Sequence, residues 1–171
     1  MNKEIIMRTM KLALLGITSL GFLGMTTQAN AEDLSTASSS ATIQGAIAIS
    51  ETTGMDFATI IADSAGDVVT LTTGGSISST GSSTFSGSPA NALFAVTGDA
   101  STAVTISFSS SDTLTGPGTA MGLGNFTHDA GGSPAFTAGG TLALNVGADL
   151  TVNASQTAGA YSGTYTLTVD Y

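Results

Sequence analysis

The sequence predicts an all-β protein, an immunoglobulin-like antiparallel β-sandwich of about eight or nine strands. Short segments that alternate apolar with small or polar residues recur after residue 40, at a spacing near ten residues that is typical of sandwiches. Clusters of Gly, Ser and Asp separate these segments, as turns require. No window after residue 31 has the 3.6-residue apolar period of a long helix. A closed β-barrel is the alternative architecture.

The first half of the domain contains four predicted strands and a loop. Residues 41–50 alternate and place one apolar set on a single face: Ile43, Gly45, Ile47 and Ile49. Residues 55–61 form a second strand that carries Phe57, and residues 67–73 a third in which Val69 and Leu71 share a face. A weak strand at 76–79 leads into a Ser- and Gly-rich stretch, residues 78–88, whose composition predicts a loop.

The second half begins with a predicted hairpin, in which residues 93–96 and 103–108 pair across a turn at 97–100. A strand at 119–126 and a loop at 131–140 follow. Alternation then predicts inward-facing Leu142, Leu144 and Val146, and a further strand at 148–152. The last segment, 160–171, is expected to form a core strand with one inward face, composed of Tyr161, Gly163, Tyr165, Leu167, Val169 and Tyr171.

The N-terminal residues have the three-part layout of a secretory signal peptide. Lys3, Arg8 and Lys11 precede an apolar run at residues 12–25, which is too short to span a bilayer core of ~30 Å. An Ala-x-Ala site predicts cleavage after Ala31. We therefore divide the chain into a signal peptide (1–31), a flexible Ser-rich lead (32–40) and one β-sandwich domain (41–171), and expect a secreted, periplasmic or cell-surface location.

The charge distribution excludes several classes of partner. Removing residues 1–31 takes all three basic residues and one of the 12 acids, which leaves 11 acids and no Lys or Arg. Nucleic acids and anionic membranes are bound mainly through Lys and Arg, so neither is an expected partner. There is also no Cys in the chain, and hence no disulfide. No later apolar run is long enough for stable membrane insertion after cleavage.

Four sequence blocks resemble the bacterial secreted domain-of-unknown-function family 4402. They read MDFATI at 55–60, GDVVTL at 66–71, FAVTG at 94–98 leading into VTI at 104–106, and GTLALNVGADLTV at 140–152 continuing through AGAYSGTYTLTVDY at 158–171. The resemblance extends from about Ala41 to Tyr171, and its last block is the most specific. The family has no established catalytic residues, so the resemblance implies none here.

The final strand is also similar to the C-terminal strand of the spore-coat-U and chaperone–usher pilin superfamily. Such strands alternate, end near an aromatic residue and follow a Gly, as Tyr171 follows Gly159 here. In a pilin-like polymer the first strand inserts into a neighbouring subunit, and the candidate donor residues are Ile43, Ile47 and Ile49. This similarity implies a homopolymer or a periplasmic chaperone as partner. The alternative is that residues 41–50 pair within their own sheet.

Few residues are candidates for chemistry. His128 is the only His and precedes Asp129, but no G-x-S-x-G nucleophile motif occurs, so we expect a non-enzymatic protein with no catalytic residues. No cofactor or metal site is expected from Cys and His. Structural calcium is the one ion considered, with Asp63 and Asp67, or Asp99 and Asp112, as carboxylate pairs. Their alternative role is in turns.

The predicted function is therefore a non-enzymatic secreted structural or surface protein, a pilus-like or matrix subunit that assembles by strand exchange. The alternative function is a soluble extracellular module that binds carbohydrate or a protein partner. Such a module would use the loops at 78–88 and 122–140, whose only aromatic residues are Phe85, Phe126 and Phe136.

Overall fold

The computed structural model describes residues 35–171. The predicted signal peptide, its cleavage site after Ala31 and the first part of the predicted lead lie outside the described residues. Residues 35–40, the described part of that lead, form no strand.

Within residues 35–171 the protein is all-β and contains eleven strands and no helix. The strands are β1 (Ala48–Thr53), β2 (Thr59–Ile61), β3 (Asp67–Leu71), β4 (Ile77–Ser79), β5 (Thr84–Ser86), β6 (Ala92–Thr97), β7 (Thr105–Phe108), β8 (Asp112–Leu114), β9 (Met121–His128), β10 (Thr141–Val152) and β11 (Leu167–Asp170). The all-β prediction is confirmed, whereas the count of eight or nine strands was too low.

The strands form three antiparallel sheets. The seven-stranded sheet has the order β1-β6-β10-β3-β4, and β9 pairs with β10 while β8 pairs with β9. Two-stranded sheets join β11 to β7 and β2 to β5. Most pairs connect strands that are far apart in sequence, so the fold depends on long-range contacts.

Strand β10 is the centre of the large sheet, and it replaces two predicted strands. Its first half pairs with β6 and its second half with β3. The two halves meet at Gly147, where the register against β9 also shifts. A side chain at Gly147 would overlap the carbonyl oxygen of Leu71. Glycine therefore lets the end of β3 approach the backbone of β10 directly.

The core consists of two hydrophobic clusters. The first is centred on β3, β9 and the second half of β10, with fully buried Val69 and Leu71. The second contains Phe94, Leu144 and Val146 from the large sheet, together with Val169 from β11. Three partly buried residues pack against both clusters: Met55, Phe126 and Tyr165. The large sheet and the β7–β11 sheet thus share one core.

The predicted hairpin of 93–96 with 103–108 is wrong. Strand β6 pairs with β1 and β10, whereas β7 pairs with β11. Between them the chain bonds to the segment before β10, since Gly98 donates to Gly140 and Val104 donates to Pro134. The buried ring of Phe136 occupies the place that a side chain at Gly98 would need. The chain therefore leaves one sheet at Gly98 and enters another.

Other strand limits also differ from the prediction. The first strand begins at Ala48 and not at residue 41, and residues 84–86 of the predicted loop form β5 by pairing with β2. The last strand is confined to residues 167–170. Val169 is buried there, Tyr161, Tyr165 and Leu167 are partly buried, and Tyr171 is 38% exposed. Tyr171 therefore lies at the edge of the core and not inside it.

Candidate functional site: an apolar groove

Two segments of the chain, residues 54–62 and 156–166, make few backbone hydrogen bonds. The first is held by β2 and by the bridge between Asp56 and Ala90. The second is held by the bridge between Thr115 and Ser162, and by the bond from Ser109 to Thr166. In the described part of the chain, no strand pairing joins these two segments to each other. They therefore border an opening in the sheet structure.

This opening contains two adjoining cavities, which together we call the groove. The larger has a volume of about 820 Å³ and runs between residues 55–62 and 156–163. The smaller, of about 470 Å³, extends to β1 and to residues 163–167. They share four lining residues: Met55, Phe57, Leu114 and Gly163. Their lining is rich in core side chains, so the groove opens directly onto the hydrophobic interior.

Tyr165 lines the smaller cavity and joins the two core clusters. Its hydroxyl is buried and has no hydrogen-bond partner. Burial, with a smaller contribution from the nearby charge of Glu51, raises the pKa of Tyr165 to about 12. A buried hydroxyl without a partner is unfavourable by about 1–3 kcal/mol. An acceptor placed in the groove, such as a backbone carbonyl, would relieve this cost.

The candidate donor residues Ile43, Ile47 and Ile49 are only partly packed against the rest of the domain. Ile43 is 94% exposed, although it is large and apolar. Ile47 is partly buried against the second cluster, and Ile49 lies on β1 at 40% exposure. Residues 41–47 form no strand, and one bond holds them, from the amide of Gly45 to Asp99 Oδ2 at 2.9 Å. From Ala48 onward the chain pairs with β6 in its own sheet.

The side chains of His128 and Asp129 have different neighbours in the structure. His128 ends β9 instead of lying in a Gly-rich loop, its Nδ1 atom is buried without a partner, and its ring lies 6.3 Å from that of Phe108. Asp129 accepts hydrogen bonds from the amide and the side chain of Asn145, at 2.9 and 2.7 Å. Desolvation by itself would raise the pKa of Asp129. The hydrogen bonds act in the opposite direction, and the net result is a pKa below the usual value.

The carboxylate pairs considered for calcium have different positions. Asp63 and Asp67 accept hydrogen bonds from the consecutive amides of Ser82 and Ser83, so they lie side by side. Asp99 and Asp112 share no partner, because Asp99 binds Gly45 and Asp112 binds Ser109. Among residues 35–171 no group of three or more His, Cys, Asp or Glu side chains is placed to hold a metal ion.

The three loop aromatics of the alternative binding module are engaged in packing. Phe85 lies on β5 and packs against the first cluster, while Phe136 is 3% exposed in the second cluster. Phe126 lies on β9 and stacks between Phe108 and Tyr165. Carbohydrate sites generally present an exposed aromatic face, which none of these rings offers.

Residues 35–171 include no helix that is long and apolar enough to cross a membrane. Sequence reasoning predicted a loop at 78–88 but did not identify the groove, the buried Tyr165 hydroxyl or the passage of residues 80–83 over Asp67. The alternation of residues 160–171 located Tyr165 on the inward face. It could not show that residues 163–166 form no strand, because strand pairing depends on the tertiary structure.

A family model described as "Domain of unknown function (DUF4402)" matches residues 47–171 of the chain. No curated protein and no solved structure matches it.

Proposed function

The chain belongs to the family described as domain of unknown function (DUF4402), and from this premise we propose that it is a non-enzymatic, secreted structural protein of the cell surface. Its domain is an immunoglobulin-like sandwich, and its copies assemble by strand exchange. Residues 41–47 of one copy enter the groove of the next. The proposal is carried by a single observation: an exposed apolar segment and an unfilled apolar groove occur in one chain.

The groove has the features of a strand acceptor. Its two bordering segments have no strand pairing with each other, so backbone donors and acceptors on either side are available to an added strand. Its floor contains Leu114, Met121 and Leu150. An added strand gains main-chain hydrogen bonds along its length and places alternate side chains into such a floor.

Residues 41–47 have the features of a donor. The segment alternates Ile43 and Ile47 with small residues, and Ile43 is 94% exposed. Burying one such side chain is worth about 1.5–3 kcal/mol. The segment is also uncharged, whereas Glu51 and Asp56 line the groove. An uncharged strand avoids the repulsion that these two carboxylates would exert on an acidic segment.

The sandwich fold and the export of the protein are supported by separate observations. Val169 of the small sheet and Leu144 of the large sheet lie in one cluster, as facing sheets require. The N-terminal basic residues, apolar run and Ala-x-Ala site support export. Detection of mature protein that begins at Glu32 outside the cytoplasm tests the second point.

Mixed-copy disulfide trapping tests the exchange. One copy carries Ile43→Cys, and a second copy, distinguished by a tag of different mass, carries Ala158→Cys. The chain has no Cys of its own, so any disulfide joins the introduced thiols. Ala158 lines the groove and is exposed. The matched control places the second thiol at Ser107, which is exposed on β7. We expect the mixed disulfide with A158C to exceed that with S107C by at least about tenfold, since bound thiols have a high effective concentration.

Equal yields at the two positions would contradict strand exchange. A second comparison uses Ile43→Asn and Ala46→Asn, which add the same uncharged polar side chain at two exposed positions of the donor segment. I43N is expected to abolish self-association and A46N to reduce it only slightly. Salt should promote association by screening the acidic surface. A protein that stays monomeric at high concentration and high salt, and is missing from sheared surface fractions of cells, would remove the assembly role.

A further inference from the structure

Asp67 is a buried carboxylate whose charge is incompletely compensated. The residue is 9% exposed at the start of β3. Its Oδ2 atom accepts a hydrogen bond from the amide of Ser83 at 3.3 Å, whereas its Oδ1 atom is buried and has no partner. A buried charged oxygen without a hydrogen bond or counter-charge is costly. Something outside the polypeptide is therefore expected to satisfy it.

A second carboxylate lies beside it. Asp63 Oδ2 accepts from the amide of Ser82, which adjoins Ser83, and the amide of Asp63 donates to Ser83 Oγ at 3.0 Å. Two carboxyl groups therefore share one corner of the fold.

The described part of the chain, residues 35–171, contains no lysine or arginine that could compensate this carboxylate, and its single His is His128. His128 pairs with Val146 and Asp67 pairs with Val152, six residues further along β10. This separation corresponds to roughly 20 Å along a strand, beyond the range of an ion pair or a hydrogen bond.

The loop at residues 80–83 encloses this corner. A Cβ atom at Gly81 would lie 2.8 Å from Cβ and 2.9 Å from Oδ2 of Asp67, so the loop passes directly over the carboxylate. Ser83 is itself 7% exposed. The enclosure limits the water that could solvate Asp67 Oδ1.

We propose that the loops at residues 62–67 and 80–83 bind a hard divalent cation of the calcium type, with Asp67 Oδ1 and the carboxylate of Asp63 as its anionic ligands. Calcium accepts carboxylate, hydroxyl, carbonyl and water oxygens together. Two carboxylates form a low-charge site, and such sites in extracellular modules have dissociation constants of about 10⁻⁴–10⁻³ M. The inference is independent of strand exchange.

Thermal unfolding of the full mature chain, first freed of metal, tests this site with CaCl₂ as the probe. We expect a saturable rise of the melting temperature at millimolar calcium, and a smaller rise with MgCl₂ at equal ionic strength. Asp67→Asn and Asp63→Asn should each weaken calcium binding by at least about tenfold, because each removes one of two anionic ligands. The matched control, Asp170→Asn on β11, should keep the full response.

Two results would overturn the site. One is a wild-type protein that calcium does not stabilise beyond the effect of ionic strength. The other is an equal calcium response in wild type and D63N, the variant whose side chain is partly exposed and whose folding is least at risk.

Discussion

The rings of Phe126 and Tyr165 stack with their centroids 4.8 Å apart. Phe126 also stacks on Phe108 at 5.1 Å, and Tyr165 meets Phe94 edge-on at 6.3 Å. The four rings form a continuous row that connects the two hydrophobic clusters. Tyr165 packs residues 163–166, which belong to no strand, against this row, and Tyr165 and Phe94 line the smaller cavity of the groove.

Two tyrosines on the same segment should respond in opposite ways to loss of the hydroxyl. The Tyr165 hydroxyl is buried without a partner, so Tyr165→Phe should leave stability unchanged or raise it by up to about 1 kcal/mol. The Tyr161 hydroxyl accepts from Gly118 at 2.9 Å and donates to Thr157 at 2.8 Å. Tyr161→Phe should therefore cost about 1–2 kcal/mol. Urea unfolding of both variants measures the difference, and equal losses would show that the Tyr165 hydroxyl does have a partner.

Gly147 should be intolerant of any side chain. Its Cβ position overlaps the carbonyl oxygen of Leu71 and lies 2.7 Å from the carbonyl carbon of Thr72. Relief requires movement of backbone, so Gly147→Ala should cost about 3 kcal/mol or more. The control is Gly124→Ala, on a neighbouring strand, where nothing lies within 4 Å of the added atom. Chemical denaturation of the pair checks the prediction, and a well-folded G147A with wild-type stability would contradict the observed approach of β3 to β10.

The end of the chain should contribute unequally to stability. Val169 is 6% exposed in the second cluster, so Val169→Ala should cost about 1–2 kcal/mol. Tyr171 is 38% exposed, and its hydroxyl accepts a bond from the amide of Asp99 at 2.8 Å. Tyr171→Phe should cost no more than about 1 kcal/mol. If Y171F were the more damaging change, the terminal residue would have a larger role than its exposure indicates.

Asp129 should support stability at neutral pH and lose that effect in acid. The hydrogen bonds from Asn145 outweigh desolvation and keep its folded-state pKa below the value of the unfolded chain, about 3.9. A group with a lowered folded-state pKa stabilises the fold above the unfolded pKa, and this contribution is lost as the pH falls through the folded-state value. The stability gap between wild type and Asp129→Asn should therefore be largest above pH 5 and shrink below about pH 4. Unfolding measured from pH 7 to pH 3 tests this, and a constant gap would contradict it.

The sequence by itself determined the β character of the chain and its chemical limits. Alternation is a local property, so Val69 and Leu71 were correctly placed on one buried face. Because no Lys or Arg follows residue 11, the sequence leads to the expectation that neither nucleic acid nor an anionic membrane is a partner. The family resemblance also came from sequence blocks, and the family match over residues 47–171 confirms it.

Only the tertiary structure decided which strands pair, because pairing depends on contacts between residues far apart in sequence. Strands β6 and β7 are neighbours in sequence yet join different sheets, since the buried ring of Phe136 separates them at Gly98. Residues 84–86 lie in a Ser- and Gly-rich stretch with the composition of a loop, and they form a strand because β2 supplies their backbone partners. The sequence also did not show the groove beside Tyr165 or the enclosure of the Asp67 carboxylate. Each is formed by segments that meet only when the chain folds.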